Sequence, residues 1–143
     1  MVNLNGTLQS TQEGKVSINN RGLQYGDAVF ETLKVVSNRI NFWEDHYFRL
    51  MASMRILRME IPMTFSMEFL ENEILKTIMA SNLTNDTCRV KLYVNRKEGG
   101  KYTPKTNDVD YFIALEKWII NTGRCRGCWG MRGSNIHNSN NIK

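Results

Sequence analysis

Hydrophobic and polar residues change their period several times along this chain, and each change marks an element. From Ala28 to Val36 they alternate, with Ala28, Phe30, Thr32, Lys34 and Val36 on one side and Val29, Glu31, Leu33 and Val35 on the other. That is the period of a strand. Ser37-Asn38-Arg39 has turn chemistry, and Ile40–Trp43 is the expected hairpin partner. Beyond Trp43 the apolar residues Tyr47, Leu50, Met51, Met54 and Leu57 recur at three and four positions, which predicts a helix with Arg49 beside its apolar stripe. Glu60-Ile61-Pro62 ends that helix. Ser66 then caps a second one, whose apolar face is Met67, Leu70, Ile74, Leu75, Ile78 and Met79. Cys88–Arg96 alternates again, with Cys88, Val90, Leu92 and Val94 facing the core and Arg89, Lys91, Tyr93 and Asn95 turned away. Val109–Glu116 is the last strand. At the start of the chain Val2–Leu8 and Lys15–Ile18 read as two short strands around Ser10–Gly14, and Tyr25-Gly26-Asp27 as a turn that places Tyr25 on a loop. Two helices against a mostly antiparallel sheet predict an α+β domain over residues 1–117.

Composition changes this picture in one place. The chain has 143 residues and a formal charge of +5, enough length for one domain with a core of its own. The excess positive charge lies entirely in residues 117–143, which hold Lys117, Arg124, Arg126, Arg132 and Lys143 and no carboxylate. The body is neutral, which argues against a nucleic-acid partner. Residues 118–143 lose both periods and are expected to form an irregular tail that buries little. Cys125 and Cys128 make a Cys-x-x-Cys pair there, but only His137 and the distant Cys88 could complete a zinc site, so no metal is expected. No apolar run is long enough to span a bilayer and no basic-then-apolar leader is present, which reads as a cytoplasmic protein without a membrane partner.

Four residues carry candidate chemistry, and each has two readings. Arg49 is either a surface arginine paired with Asp45 one turn earlier or a grip for an anion. Tyr25 is a loop aromatic or a binding group on a scaffolded loop. Phe30 taken alone reads as core. Arg89 shares a strand face with Lys91 and Tyr93, and that face is either solvated or a site. His46 is expected to face solvent near Glu44 or Asp45, with no role.

The segments RGLQYGDAVFET, EDHYFRLMASM, Arg89–Arg96 and Gly99-Gly100-Lys101-Tyr102 together resemble the N-terminal domain of the class IV pyridoxal-phosphate enzymes. That family includes branched-chain and D-amino-acid aminotransferases and aminodeoxychorismate lyase, and the lyase-like members are the most similar. The resemblance covers residues 1–116. It implies the family's small-domain fold, pyridoxal 5'-phosphate as cofactor, Arg49 as the phosphate-binding arginine, and Tyr25, Phe30 and Arg89 as the lining of a pocket for a small amino-acid substrate. It also implies a homodimer, and a domain without its larger partner is expected to leave apolar surface uncovered, on the Met51–Met54–Leu57 side of the first helix and on Met63–Phe65–Met67, so that the chain is not expected to be a stable monomer. The lysine that carries the cofactor, and the acid for its ring nitrogen, belong in that family to a larger C-terminal domain. Lys143 stands nearest to where that lysine would be expected, in a context that departs from the family's. The tail is therefore expected to be a truncated or frame-shifted end. The activity implied is transamination of an amino acid or elimination from aminodeoxychorismate, which an isolated N-terminal domain is not expected to perform. The alternative is a non-catalytic binding or assembly module built on the same fold.

Overall fold

The computed structural model describes residues 1–118. Six strands form one antiparallel sheet: β1 (Val2–Leu4), β2 (Thr7–Gln9), β3 (Ala28–Val36), β4 (Arg39–Ile40), β5 (Thr87–Arg96) and β6 (Val109–Lys117). Their order across the sheet is β2-β1-β6-β5-β3-β4. Three helices accompany it: α1 (Arg21–Tyr25), α2 (Trp43–Ile56) and α3 (Met67–Ala80). Among the described residues the two long helices cover one face, and the other is left open except where Val16 to Leu23 border Tyr93 and Phe112.

The alternation read from the sequence decides which side is which. Leu33 and Val35 of β3, Cys88, Val90, Leu92 and Val94 of β5, and Tyr111 and Ile113 of β6 are buried under the helices. Trp43, Leu50, Met51 and Met54 of α2 and Leu70, Ile74 and Ile78 of α3 supply the other half of the core. Ser66 caps α3 as expected, its Oγ accepting from the Phe69 amide at 3.1 Å. One polar knot lies in this core: Asn3 of β1 donates to Glu73 at 2.6 Å and to Thr77 at 3.2 Å, pinning α3 to the N-terminal hairpin. Burial and the nearby Glu73 carboxylate push the Tyr111 phenol up to about 12.

Several expectations need correction. Val2–Leu8 is two strands, because Asn5 (φ 49°) and Gly6 (φ 86°) turn the chain back through a tight hairpin. Lys15–Ile18 is no strand. It takes no part in the ladder and leaves Val16 and Ile18 exposed by 52% and 73%. The hairpin partner of β3 is only two residues long, since Phe42 at φ 53° swings the chain off the sheet and into α2. Asn20 and Gly26 create a short helix between them: the Asn20 side chain accepts from the Leu23 amide at 3.2 Å, and Gly26 closes the end at φ 67°. Tyr25 is therefore the last residue of α1 and not a loop residue. Met51, Met54 and Phe65 are buried and are not an uncovered surface, whereas Met63 is fully exposed. The tail's Cys125, Cys128, His137 and Lys143 lie outside the described residues.

Among the described residues, no helix is long and apolar enough to cross a membrane, and no three metal-ligating side chains converge.

Candidate active site

The open face of the sheet is a lattice whose rows follow from the strand register. One row runs Phe30–Tyr93–Phe112–Leu4, the next Thr32–Lys91–Ala114–Val2, and the third Lys34–Arg89–Glu116. Successive rows are about 7 Å apart, two residues along a strand. The first row is aromatic, with Tyr93 stacked on Phe112 at 4.5 Å between centroids. The Lys91 ammonium stands 4.5 Å from the Phe30 ring centre and 5.7 Å from that of Tyr93. Val16, Gly22 and Leu23 border the aromatic end, and Gly22 leaves room for Tyr93: a Cβ there would lie 2.2 Å from the Tyr93 hydroxyl.

Phe30 is 57% exposed on this face, so its reading as core is wrong. Even positions of β3 point away from the helices, and hydrophobicity alone could not reveal that the face is uncovered. Arg89 also stands on the open face, one row beyond Lys91. Its partner Glu116 lies 3.7 Å away, and both side chains are more than half exposed. A long, solvated pair of this kind is weak, which leaves Arg89 available to a competing carboxylate.

Arg49 lies on the opposite side. Its carboxylate partner is Glu31, on the core-facing set of β3, and not the Asp45 expected from helix spacing. Arg49 Nε donates to Glu31 Oε1 at 2.7 Å, and Nη2 donates to Oε2. His46, expected to face solvent, approaches the same carboxylate, with Nδ1 at 2.7 Å from Oε2. An ionised carboxylate only accepts, so Nδ1 carries the proton. Arg49 Nη2 also lies 3.0 Å from that nitrogen, which, being protonated, accepts nothing from it. Burial raises the Glu31 carboxyl, but the hydrogen bonds and charges of Arg49 and His46 outweigh it and hold the group below its ordinary value. The same contacts raise Arg49. Glu31 is a residue that the periodic pattern displayed without explaining: an acid among the core positions of a strand demands a partner, and His46 and Arg49, three apart on one helix, are that partner.

Tyr25 sits at a third place. Arg21 stacks 4.7 Å from its ring centre, and Tyr102 packs edge-on at 6.4 Å. Arg21 is held by a buried clamp in which Asp27 Oδ2 accepts from Arg21 Nε and from Arg96 Nε, both at 2.9 Å. Arg21 also donates to the carbonyls of Gly99 and Lys101, and Arg96 to that of Arg58. The clamp fastens the glycine-rich loop to the ends of β3, β5 and α2. The structure thus places Phe30 and Arg89 on one face, Tyr25 near the N-terminal end of β3, and Arg49 beyond the sheet from Phe30.

Residues 28–123 match the model of the family described as amino-transferase class IV. The chain belongs to that family. A putative branched-chain-amino-acid aminotransferase of Methanocaldococcus jannaschii is 32% identical over 96 residues, 67% of this chain and 32% of that protein. A D-alanine aminotransferase of Listeria monocytogenes is 34% identical over 113 residues, 79% of this chain and 37% of that one. The chain spans about a third of the length of the curated relatives it matches. Among solved structures, a T.th. branched-chain amino acid aminotransferase complexed with N-(5'-phosphopyridoxyl)-L-glutamate is 25% identical with a TM-score of 0.71. The 4-amino-4-deoxychorismate lyase of Pseudomonas aeruginosa is 26% identical with a TM-score of 0.64. In both cases the match covers 82% of this chain and 40% of the other. The class IV aminotransferase fold expected for this domain is the fold observed, with α1 added to the two helices expected.

Proposed function

We propose that this class IV aminotransferase domain supplies one wall of a pyridoxal-phosphate site at which an amino acid is transaminated or undergoes elimination. The observation that carries the reading is Arg49. Its side chain is 62% exposed, and Nη1 makes no hydrogen bond among the described residues. A planar fork that is charged, fixed on one side and free on the other suits two oxygens of a phosphate. The donor set therefore fits the cofactor's phosphate. When bound, pyridoxal phosphate supplies an electron sink for charge developing at the substrate's α-carbon.

On the open face of the sheet, on the other side of β3 from Arg49, the protein's own residues do the rest of the work. Arg89 and Lys91 present two cations that can orient a substrate carboxylate, while Phe30, Tyr93 and Phe112 form an apolar wall that excludes water. Tyr25, fixed by Arg21 and Tyr102, offers a phenol at the rim. No lysine in residues 1–117 is assigned the covalent role, and Lys143 lies outside the described residues. In this reading the covalent lysine and the acid for the ring nitrogen belong to the length that the relatives have and residues 1–117 do not. A homodimer and a cytoplasmic setting are part of the same proposal. The exposed Leu23 and Phe30 beside the open face suit a covering surface, and the free Cys88 thiol suits a reducing compartment.

The test compares the affinity of the 143-residue chain for pyridoxal phosphate with its affinity for pyridoxal, before and after Arg49→Ala. A preference for the phosphate that falls roughly 10- to 100-fold in the variant is expected, the range of a lost charge-assisted hydrogen-bond pair. Equal loss of affinity for both compounds would reject Arg49 as the phosphate grip.

A further inference from the structure

We infer that Glu31 is the positioning residue of this anion grip, presenting Arg49 in the one orientation that leaves its outer fork free. The inference rests on the reading of Arg49 as the phosphate ligand and adds the reason why an exposed arginine would be ready for it. Arginine carries five N–H donors. Glu31 engages it side-on, taking Nε–H and one hydrogen of Nη2. That leaves both hydrogens of Nη1 and the second of Nη2, which together form the end-on fork suited to two phosphate oxygens. A free arginine would lose rotamer entropy on binding. Here that cost falls on folding.

The anchor is itself fixed. Glu31 is 5% exposed, its backbone is held in the β3–β5 ladder opposite Leu92, and His46 takes the second lone pair of Oε2. The geometry also explains an acid beside a proposed anion site, where like charge would ordinarily repel. Side-on pairing keeps the carboxylate behind the guanidinium plane's inner edge, and phosphate would approach the outer one. Among the described residues the outer side of β3 has no strand partner over Ala28–Leu33, so no described strand closes that approach. Neither Glu31 nor His46 touches the phosphate in this arrangement, and both act through Arg49.

The experiment uses the full chain. Nitrogen-15 spectra of arginine side chains report Nε–H exchange, and the ratio of pyridoxal-phosphate to pyridoxal affinity reports the grip. In the wild type, Arg49 Nε–H should exchange at least about tenfold more slowly than those of the exposed Arg39 and Arg55, as expected of a charge-assisted bond. Glu31→Gln should bring it to their rate and reduce the affinity ratio about fivefold or more, with pyridoxal affinity unchanged. A melting curve reports whether the variant is folded. If it is not, the wild-type exchange rate still decides, because an Arg49 Nε–H as labile as Arg39's overturns the inference. A folded Glu31→Gln chain that keeps the full phosphate preference overturns it too. An Arg49→Ala chain that keeps that preference overturns the phosphate reading itself, and this outcome is distinct from the other two.

Discussion

Replacing Asp27 with Asn tests the buried clamp that sets the position of Tyr25 and the glycine-rich loop. Arg21 and Arg96 are 3% and 5% exposed, and the single Asp27 oxygen Oδ2 is the only carboxylate partner either has among the described residues. Removing its charge leaves two guanidinium groups in a nearly dry site without compensation. Breaking a buried ion pair in this way costs about 3–5 kcal/mol. The carbonyls of Gly99, Lys101 and Arg58 still accept from the two arginines, and asparagine can accept one bond, so the lower end, about 3 kcal/mol, is expected. For a domain of this size that corresponds to a melting-point drop of roughly 10–15 °C. Urea unfolding at neutral pH should show a lower midpoint with an unchanged slope. Arg96→Met added to Asp27→Asn should recover part of the loss by removing one uncompensated charge. A loss under about 1 kcal/mol, the value of a solvated pair, would refute the claim that the clamp is buried and structural.

Acid should weaken the fold through the same chemistry. Glu31 and Asp27 are held below their ordinary values of 4.5 and 3.8, so their stabilisation is complete above those values and drains away as the pH falls through the lower folded-state values. The urea midpoint should stay level down to about pH 5 and then decline, and a midpoint that rises below about pH 4 would contradict the pairing. Gly22→Ala should destabilise by about 1–3 kcal/mol, the cost of overpacking, because the Tyr93 hydroxyl is in its way and Tyr93 is stacked on Phe112. Tyr93→Phe should restore most of the loss in a thermal melt, and no restoration would place the strain elsewhere. Arg89→Ala should weaken a phosphopyridoxyl amino acid about tenfold while leaving pyridoxamine phosphate unchanged. Equal effects on both ligands would remove Arg89 from carboxylate recognition.

The chain's own pattern determined the long elements. A nine-residue alternation such as Ala28–Val36 can bury only one set of side chains, and the stripe from Trp43 to Met54 can only be a helix against that set, so both are legible from local periodicity. The ends were less legible. Val2–Leu8 and Ile40–Trp43 have the composition of strands, and single residues with positive φ at Asn5 and Phe42 decided where pairing stops. Glycine after Asn5, and Asn20 with Gly26 around α1, were signals present in the sequence that periodicity alone passes over. Only the tertiary structure decided how the candidate residues are arranged. Asp45 is four residues from Arg49 and Glu31 is eighteen, so helix spacing favoured the near partner, while the sheet brought the far one to 2.7 Å. Phe30 looked like core for the same reason: hydrophobicity marks a residue that prefers to be covered, and whether a face of the sheet has anything above it depends on where distant helices pack. Both long helices went to one side, and that left Phe30, Lys91 and Arg89 together on the other.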